Sequence, residues 1–188
     1  MTDTASPTSP AERLRPLRQV RQYRDFTDQP VAEDVLRAIA DVARWSGSSQ
    51  NEQPWRFVLV RDRATIRAWA AAGLPQTRTL RTAPAAIAIV LPDRPQRAVA
   101  DAYDEGRAAE RCLIAASQLG LGAGIAWIRP DVRQVVADAL GLPADRFVRT
   151  VVAVGHPTEA ARQPKMTAGS ARLPRAETVF EERWPPER

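Results

Sequence analysis

The side chains best placed by type and spacing to do chemistry lie between Ser46 and Phe57, in the run SGSSQNEQPWRF. Ser48, Ser49, Gln50, Asn51 and Gln53 can each donate and accept a hydrogen bond, and Gly47 lets the backbone turn tightly. Pro54 directs Gln53 towards an extended conformation, after which Trp55 and Phe57 begin a strand. A turn with this many neutral hydrogen-bonding groups can bind a polar planar ligand. It can equally be an ordinary polar loop, the commoner use of such a composition.

Other reactive side chains are scarce. Cys112 is the one cysteine, which rules out an internal disulfide and any multi-cysteine metal site. His156 is the one histidine and stands in a GHP turn directly after an apolar strand pattern. There is no HExxH, no G-x-S-x-G and no Cys–His arrangement. Metal-assisted and His-activated nucleophilic chemistry are therefore poorly supported, and enzymatic work falls to a bound cofactor.

The formal charge is +5, and all but one of the basic residues are arginine. The arginines are scattered and interleaved with acids, as in RDRATIR and DEGRAAER, with no aromatic interleaving of the kind a nucleic-acid surface uses. The densest set is Arg13, Arg15, Arg18, Arg21 and Arg24. It reads as a solvated face or as a local anion site, in which Arg21 and Arg24 can grip a phosphate. GLGAG, at Gly120 to Gly124, follows a helix and precedes a strand, the reverse of the dinucleotide-binding order. Its glycines either let a flat ligand approach the main chain or, at Gly120, simply cap a helix. Trp127 is a core aromatic or a wall beside a planar ring, and Arg172, taken alone, is a surface residue.

Several elements must position these groups. Residues 1–10 read as a disordered lead-in, 11–188 as one domain, and 157–188 as its extended C-terminal tail. Helices are expected over 11–22, with Leu14, Leu17 and Val20 on one stripe, and over 31–45, with Val35, Ile39 and Val42. Further helices fall at 62–72 (capped by Asp62), 99–119 and 131–140, the last closed by Gly141. Strands fall at 55–60, 85–91, 121–128 and 147–154, the second buried on both faces. The alanine-rich half of the long helix is either a core segment or the seat of a second subunit. Alternation of helices with about four strands gives an α/β or α+β class, its sheet covered on both faces. The longest apolar run, Ala83 to Leu91, is too short to cross a bilayer, and a cytoplasmic protein is expected.

Taken together, Arg-x-x-Arg-x-Phe, then PV and a helix, then S-x-x-N-x-QPW-x-F, a late G-L-G and RLP on the tail resemble the nitroreductase-like flavoprotein family, its short bacterial members in particular. RQYRDFTDQPV, SGSSQNEQPWRF and DEGRAAER carry most of the likeness, which runs from Arg21 to Trp184. The resemblance implies an α+β nitroreductase-like fold with a central mixed sheet of four to five strands. It also implies a homodimer with FMN at the subunit interface. Arg21, Gln22 and Arg24 would meet the phosphate, ribityl chain and pyrimidine edge; Ser48, Ser49 and Asn51 would come from the other subunit. Gly124, Ile125, Ala126 and Trp127 would lie along the isoalloxazine, and Arg172 would return to the phosphate.

The implied activity is NAD(P)H-dependent, passing hydride through flavin N5 to nitroaromatics or quinones by a ping-pong mechanism. No protein side chain is catalytic in this scheme, and Arg24 stabilises the reduced flavin. The rivals are enone, azo or oxygen-dependent chemistry on the same flavin, and a family member that binds flavin without turnover. Three positions depart from the family's habit: Val20 for a usual arginine, Gln22 for a common serine, and Gly47 for a frequent proline. The first two imply a weaker hold on FMN, the third a looser turn.

Overall fold

The computed structural model describes residues 9–163 and 172–185. Residues 1–8 of the expected lead-in, and 164–171 and 186–188 of the expected tail, lie outside the described residues. Four strands form one sheet: β1 (Arg56–Val60), β2 (Ala85–Pro92), β3 (Gly122–Trp127) and β4 (Arg146–Gly155), in the order β1-β2-β4-β3. All three pairings are antiparallel. The mixed character of the sheet is confined to one parallel bridge, between Gln22 and Ala123, on the outer edge of β3.

β2 and β4 are the inner strands, and the alternation of β2 shows how the two cores are divided. Ala85, Ile87, Ile89 and Leu91 face α3 (Glu33–Arg44) and α5 (Ala98–Gln118), while Ala86, Ala88 and Val90 face α4 (Arg63–Gly73) and α6 (Arg133–Leu140). With successive side chains burying on opposite faces, every residue from Ala85 to Leu91 is apolar. Among the described residues no helix is long and apolar enough to cross a membrane.

The helix expected over 11–22 is two short ones, α1 (Pro10–Arg13) and α2 (Arg15–Gln19). Pro16 has no N–H for the carbonyl of Glu12, so the helix breaks between them. Leu14 and Leu17 are half-exposed instead of facing the core, while Val20 packs against the core between α3 and α5. In α3 the buried stripe is Leu36, Ile39 and Ala43; Val35 is at its margin and Val42 is exposed. Asp62 caps α4, accepting from the N–H groups of Ala64 and Thr65, and Gly141 ends α6 in the left-handed region. The alanine-rich half of α5 is core of its own chain: Ala108, Ala109, Cys112, Leu113, Ala115 and Ala116 are buried against α3 and the sheet. The last short helix is α7 (Glu159–Arg162).

Candidate functional site

The arginine segment after α2 docks on the free edge of β3. Tyr23 N–H donates to the carbonyl of Ala123 at 2.8 Å, the side-chain oxygen of Gln22 accepts from Ile125 N–H at 3.0 Å, and the hydroxyl of Thr79 donates to the Tyr23 carbonyl at 2.8 Å. This approach is what the glycines permit. A Cβ on Gly124 would stand 2.1 Å from the Tyr23 carbonyl oxygen, and one on Gly122 would stand 2.4 Å from Pro157. At Gly122 and Gly124 the close approach that the glycines of GLGAG permit is used by the chain itself. Gly120, with φ +72°, ends α5, which is its plain capping role.

Along β3, alternation sends Ala126 into the α4–α6 core, whereas Ile125 turns half-buried to the other face and Trp127 is exposed at the strand's end. Arg21 is engaged locally: its Nε donates to the Tyr23 hydroxyl at 3.0 Å, its guanidinium lies 4.8 Å from that ring, and it also bonds the carbonyl of Arg162. Arg24 is exposed and makes no hydrogen bond or ion pair with a described residue. Arg172 lies exposed on the tail.

The polar turn is a strained structure. Gln50, Asn51 and Gln53 all have positive φ, at +52°, +57° and +48°. Each such residue costs on the order of 1–3 kcal/mol, sustained only where surrounding structure fixes it. Gln53 thus departs from the extended form expected before Pro54, because its N–H is drawn to Ser48 Oγ at 2.9 Å and closes the turn. Its side-chain amide donates to Asn51 Oδ1 at 3.2 Å.

What fixes the turn is α5. Asp104, almost fully buried, accepts from Ser49 N–H at 2.9 Å; Arg97 reaches Ser49 Oγ at 3.3 Å; and Arg107 donates to the Gly47 carbonyl at 3.3 Å. Glu52 then pairs with Arg94 at 2.7 Å and Arg97 at 2.8 Å. Residue 47 joins this anchoring through its carbonyl, and a side chain there would add little, since a Cβ would meet only Arg107, at 3.9 Å. The looseness expected from Gly47 is offset by α5. Sequence reading missed Asp104 as a buried anchor; the one signal was its place near an arginine in DEGRAAER.

Within one chain the two halves of the expected site stand apart. The turn leads into β1 at one edge of the sheet, and the arginine segment lies on β3 at the other, three strand spacings or roughly 14 Å away.

A model of the nitroreductase family matches residues 17–156, most of the chain and both of these segments. The chain belongs to the nitroreductase family. A candidate NADH dehydrogenase/NAD(P)H nitroreductase of Archaeoglobus fulgidus is 29% identical over 140 residues, covering 71% of this chain and 79% of its own. A candidate nitroreductase of Desulfovibrio desulfuricans, solved in complex with FMN, superposes with a TM-score of 0.73 at 28% identity, covering 95% of this chain and all of its own. A candidate NADH dehydrogenase/NAD(P)H nitroreductase of Bacteroides thetaiotaomicron gives a TM-score of 0.76 at 26% identity, covering 93% and 99%.

The thiol of Cys112 is buried, and that burial pushes its pKa up to about 12. His156 sits at the end of β4 as expected, its carbonyl accepting from Thr27 N–H at 2.8 Å. Clefts among the described residues include these. One of about 280 Å³ is lined by Asp93, Arg94, Arg133, Phe147 and Arg149; a shallower one of about 600 Å³ runs between α3 and the outer edge of β1, past Phe57 and Leu59. Neither is lined by a residue expected to hold flavin.

Proposed function

We propose that this nitroreductase-family chain is an FMN-dependent, NAD(P)H-using oxidoreductase that reduces electron-poor acceptors, nitroaromatics and quinones, in a ping-pong cycle. Bound FMN would supply the hydride chemistry, at N5 of its ring.

The chain's own groups fit such a ligand. Ser48 Oγ, Ser49 Oγ and Asn51 Oδ1 already accept hydrogen bonds inside the turn, so what remains to offer is two hydroxyl protons and an amide NH₂. Gln22 likewise spends its oxygen on Ile125 and keeps its NH₂. A set of donors suits the carbonyls of a flavin pyrimidine ring and its phosphate. Arg24 adds a cation without a partner, able to stabilise negative charge that develops at the pyrimidine edge. Arg21 is the weaker candidate because its donors are partly committed to Tyr23 and Arg162. Val20 offers no charge, but its apolar packing holds the segment that carries Gln22 and Arg24. Ile125 and Trp127 remain on the open side of β3 as the wall of the ring site, Gly124 and Ala126 contributing backbone. Arg172 would close on the phosphate from the tail.

A homodimer is part of this reading, because only a second copy brings the turn to the β3 edge of its partner. Half-exposed Leu14 and Leu17, and Val99 and Tyr103 on the outer face of α5, supply apolar surface for it. A cytoplasmic location would go with the use of NAD(P)H.

The observation that carries the proposal is the unpartnered Arg24 held beside β3 in a chain of this family. The test is turnover by purified protein: NADH or NADPH should bleach the bound flavin, and a nitroaromatic or quinone should restore its colour. A flavin-loaded protein that neither coenzyme bleaches would contradict the catalytic part of the proposal.

A further inference from the structure

We propose a second ligand site, for a phosphate-like oxyanion, in the 280 Å³ cleft between the N-termini of α5 and α6. Three guanidinium groups line it, and two are neutralised. Arg94 is held by both oxygens of Asp101, at 2.8 and 2.9 Å, and by Glu52 at 2.7 Å. Arg149 Nε donates to Glu105 Oε2 at 2.7 Å. Arg133 makes no hydrogen bond or ion pair with a described residue, and its Nε is closed off from solvent without an acceptor. Its guanidinium sits 4.5 Å from the Phe147 ring, with that of Arg149 5.9 Å from the same ring. Two like charges thus share one aromatic ring, and burial together with Arg149 lowers the pKa of Arg133. Its terminal N–H groups, which have no acceptor among the described residues, are the donors that line the cleft, and an oxyanion there would accept from them in charge-assisted hydrogen bonds.

The backbone contributes in the same direction. Ala98, first residue of α5, and Arg133, first residue of α6, both line the cleft. Neither helix has a side-chain cap, and although Ala98 N–H and Arg133 N–H already donate to the carbonyls of Pro95 and Pro130, the positive ends of two helix dipoles border the same space. Asp93 is the opposing group. It is exposed at the rim, where solvent screens it, whereas Asp101 and Glu105 are already paired. The ligand class that follows is a compact, multiply charged oxyanion: free phosphate, or a phosphate carried by a nucleotide. None of the residues assigned to flavin lines this cleft, so the proposal stands independently of that assignment.

Calorimetric titration of the full-length protein with inorganic phosphate, at constant ionic strength, tests it. Wild-type protein should show saturable one-to-one binding, weakened about tenfold or more in Arg133→Gln, which removes a charge-assisted donor. Asp93→Asn should tighten it, and Ala98→Glu, an acid well tolerated in a first helical turn, should weaken it. No saturable binding by wild type, or unchanged affinity in Arg133→Gln with both proteins equally folded, would overturn the proposal. Titration with NADP⁺ and NAD⁺ then identifies the source. Selective loss of NADP⁺ affinity in Arg133→Gln assigns the site to the coenzyme's 2′-phosphate; loss of phosphate binding alone assigns it to a free oxyanion.

Discussion

At Gly124 a single missing Cβ decides where the arginine segment lies. Alanine there would place its Cβ 2.1 Å from the Tyr23 carbonyl oxygen and 2.5 Å from the Thr79 hydroxyl, both held in the β3 edge contact. Gly124→Ala should cost about 1–3 kcal/mol in chemical denaturation, the usual penalty of overpacking, and should release FMN more readily. Unchanged stability and unchanged flavin retention would contradict the close docking. Arg24→Ala makes the opposite prediction. Its side chain is exposed and makes no hydrogen bond or ion pair with a described residue, so the denaturation midpoint should barely move, within about 0.5 kcal/mol. Reduction of the bound flavin in stopped-flow should slow by about 10²-fold, as when one preorganised donor is removed; an unchanged rate would remove Arg24 from its role. The sequence marks the glycines as a place of close approach. It does not identify Tyr23 and Thr79 as what approaches, because those contacts arise from residues far apart in the chain.

Elements whose burial follows periodicity were legible: the four strands, α3 to within its stripe, α4 with its Asp62 cap, and α6 with Gly141. Two features were not. Asp101, Asp104 and Glu105 are all buried, a placement the helix pattern does not show, since Arg94 and Arg149 come from outside α5 to pair with Asp101 and Glu105, and Arg107 pairs with Asp104 from the next turn. Positive φ at Gln50, Asn51 and Gln53 accompanies the closure of the turn by Ser48 Oγ and its anchoring by Asp104, contacts that the residues' own types do not announce. The Asp62 cap makes a testable acid-stability claim. Its carboxyl is held below the ordinary 3.8, first by the Thr65 hydroxyl and then by the Thr65 N–H. A lowered folded pKa gives stability that is present above the unfolded value and lost as pH falls through the folded one. Asp62→Asn keeps a cap at every pH. The Tm difference between wild type and Asp62→Asn should favour wild type near neutrality and shrink below about pH 4. A difference independent of pH would contradict the assignment.

For the whole molecule, the family likeness was legible in two motifs, but their separation was not. The turn and the arginine segment sit at opposite edges of one sheet, so a working site built from both requires two chains. Light scattering should therefore give twice the chain's 20.7 kDa, with flavin lost as the dimer dissociates on dilution. A monomer that keeps its flavin would remove the shared site.

The central claim is that the protein holds FMN. It is tested most directly by the visible absorption spectrum of the purified protein, followed by denaturation and identification of the released chromophore. The account predicts a yellow protein with a flavin spectrum that releases FMN, or a colourless one that becomes yellow on adding FMN. A colourless protein that takes up no added FMN would contradict it.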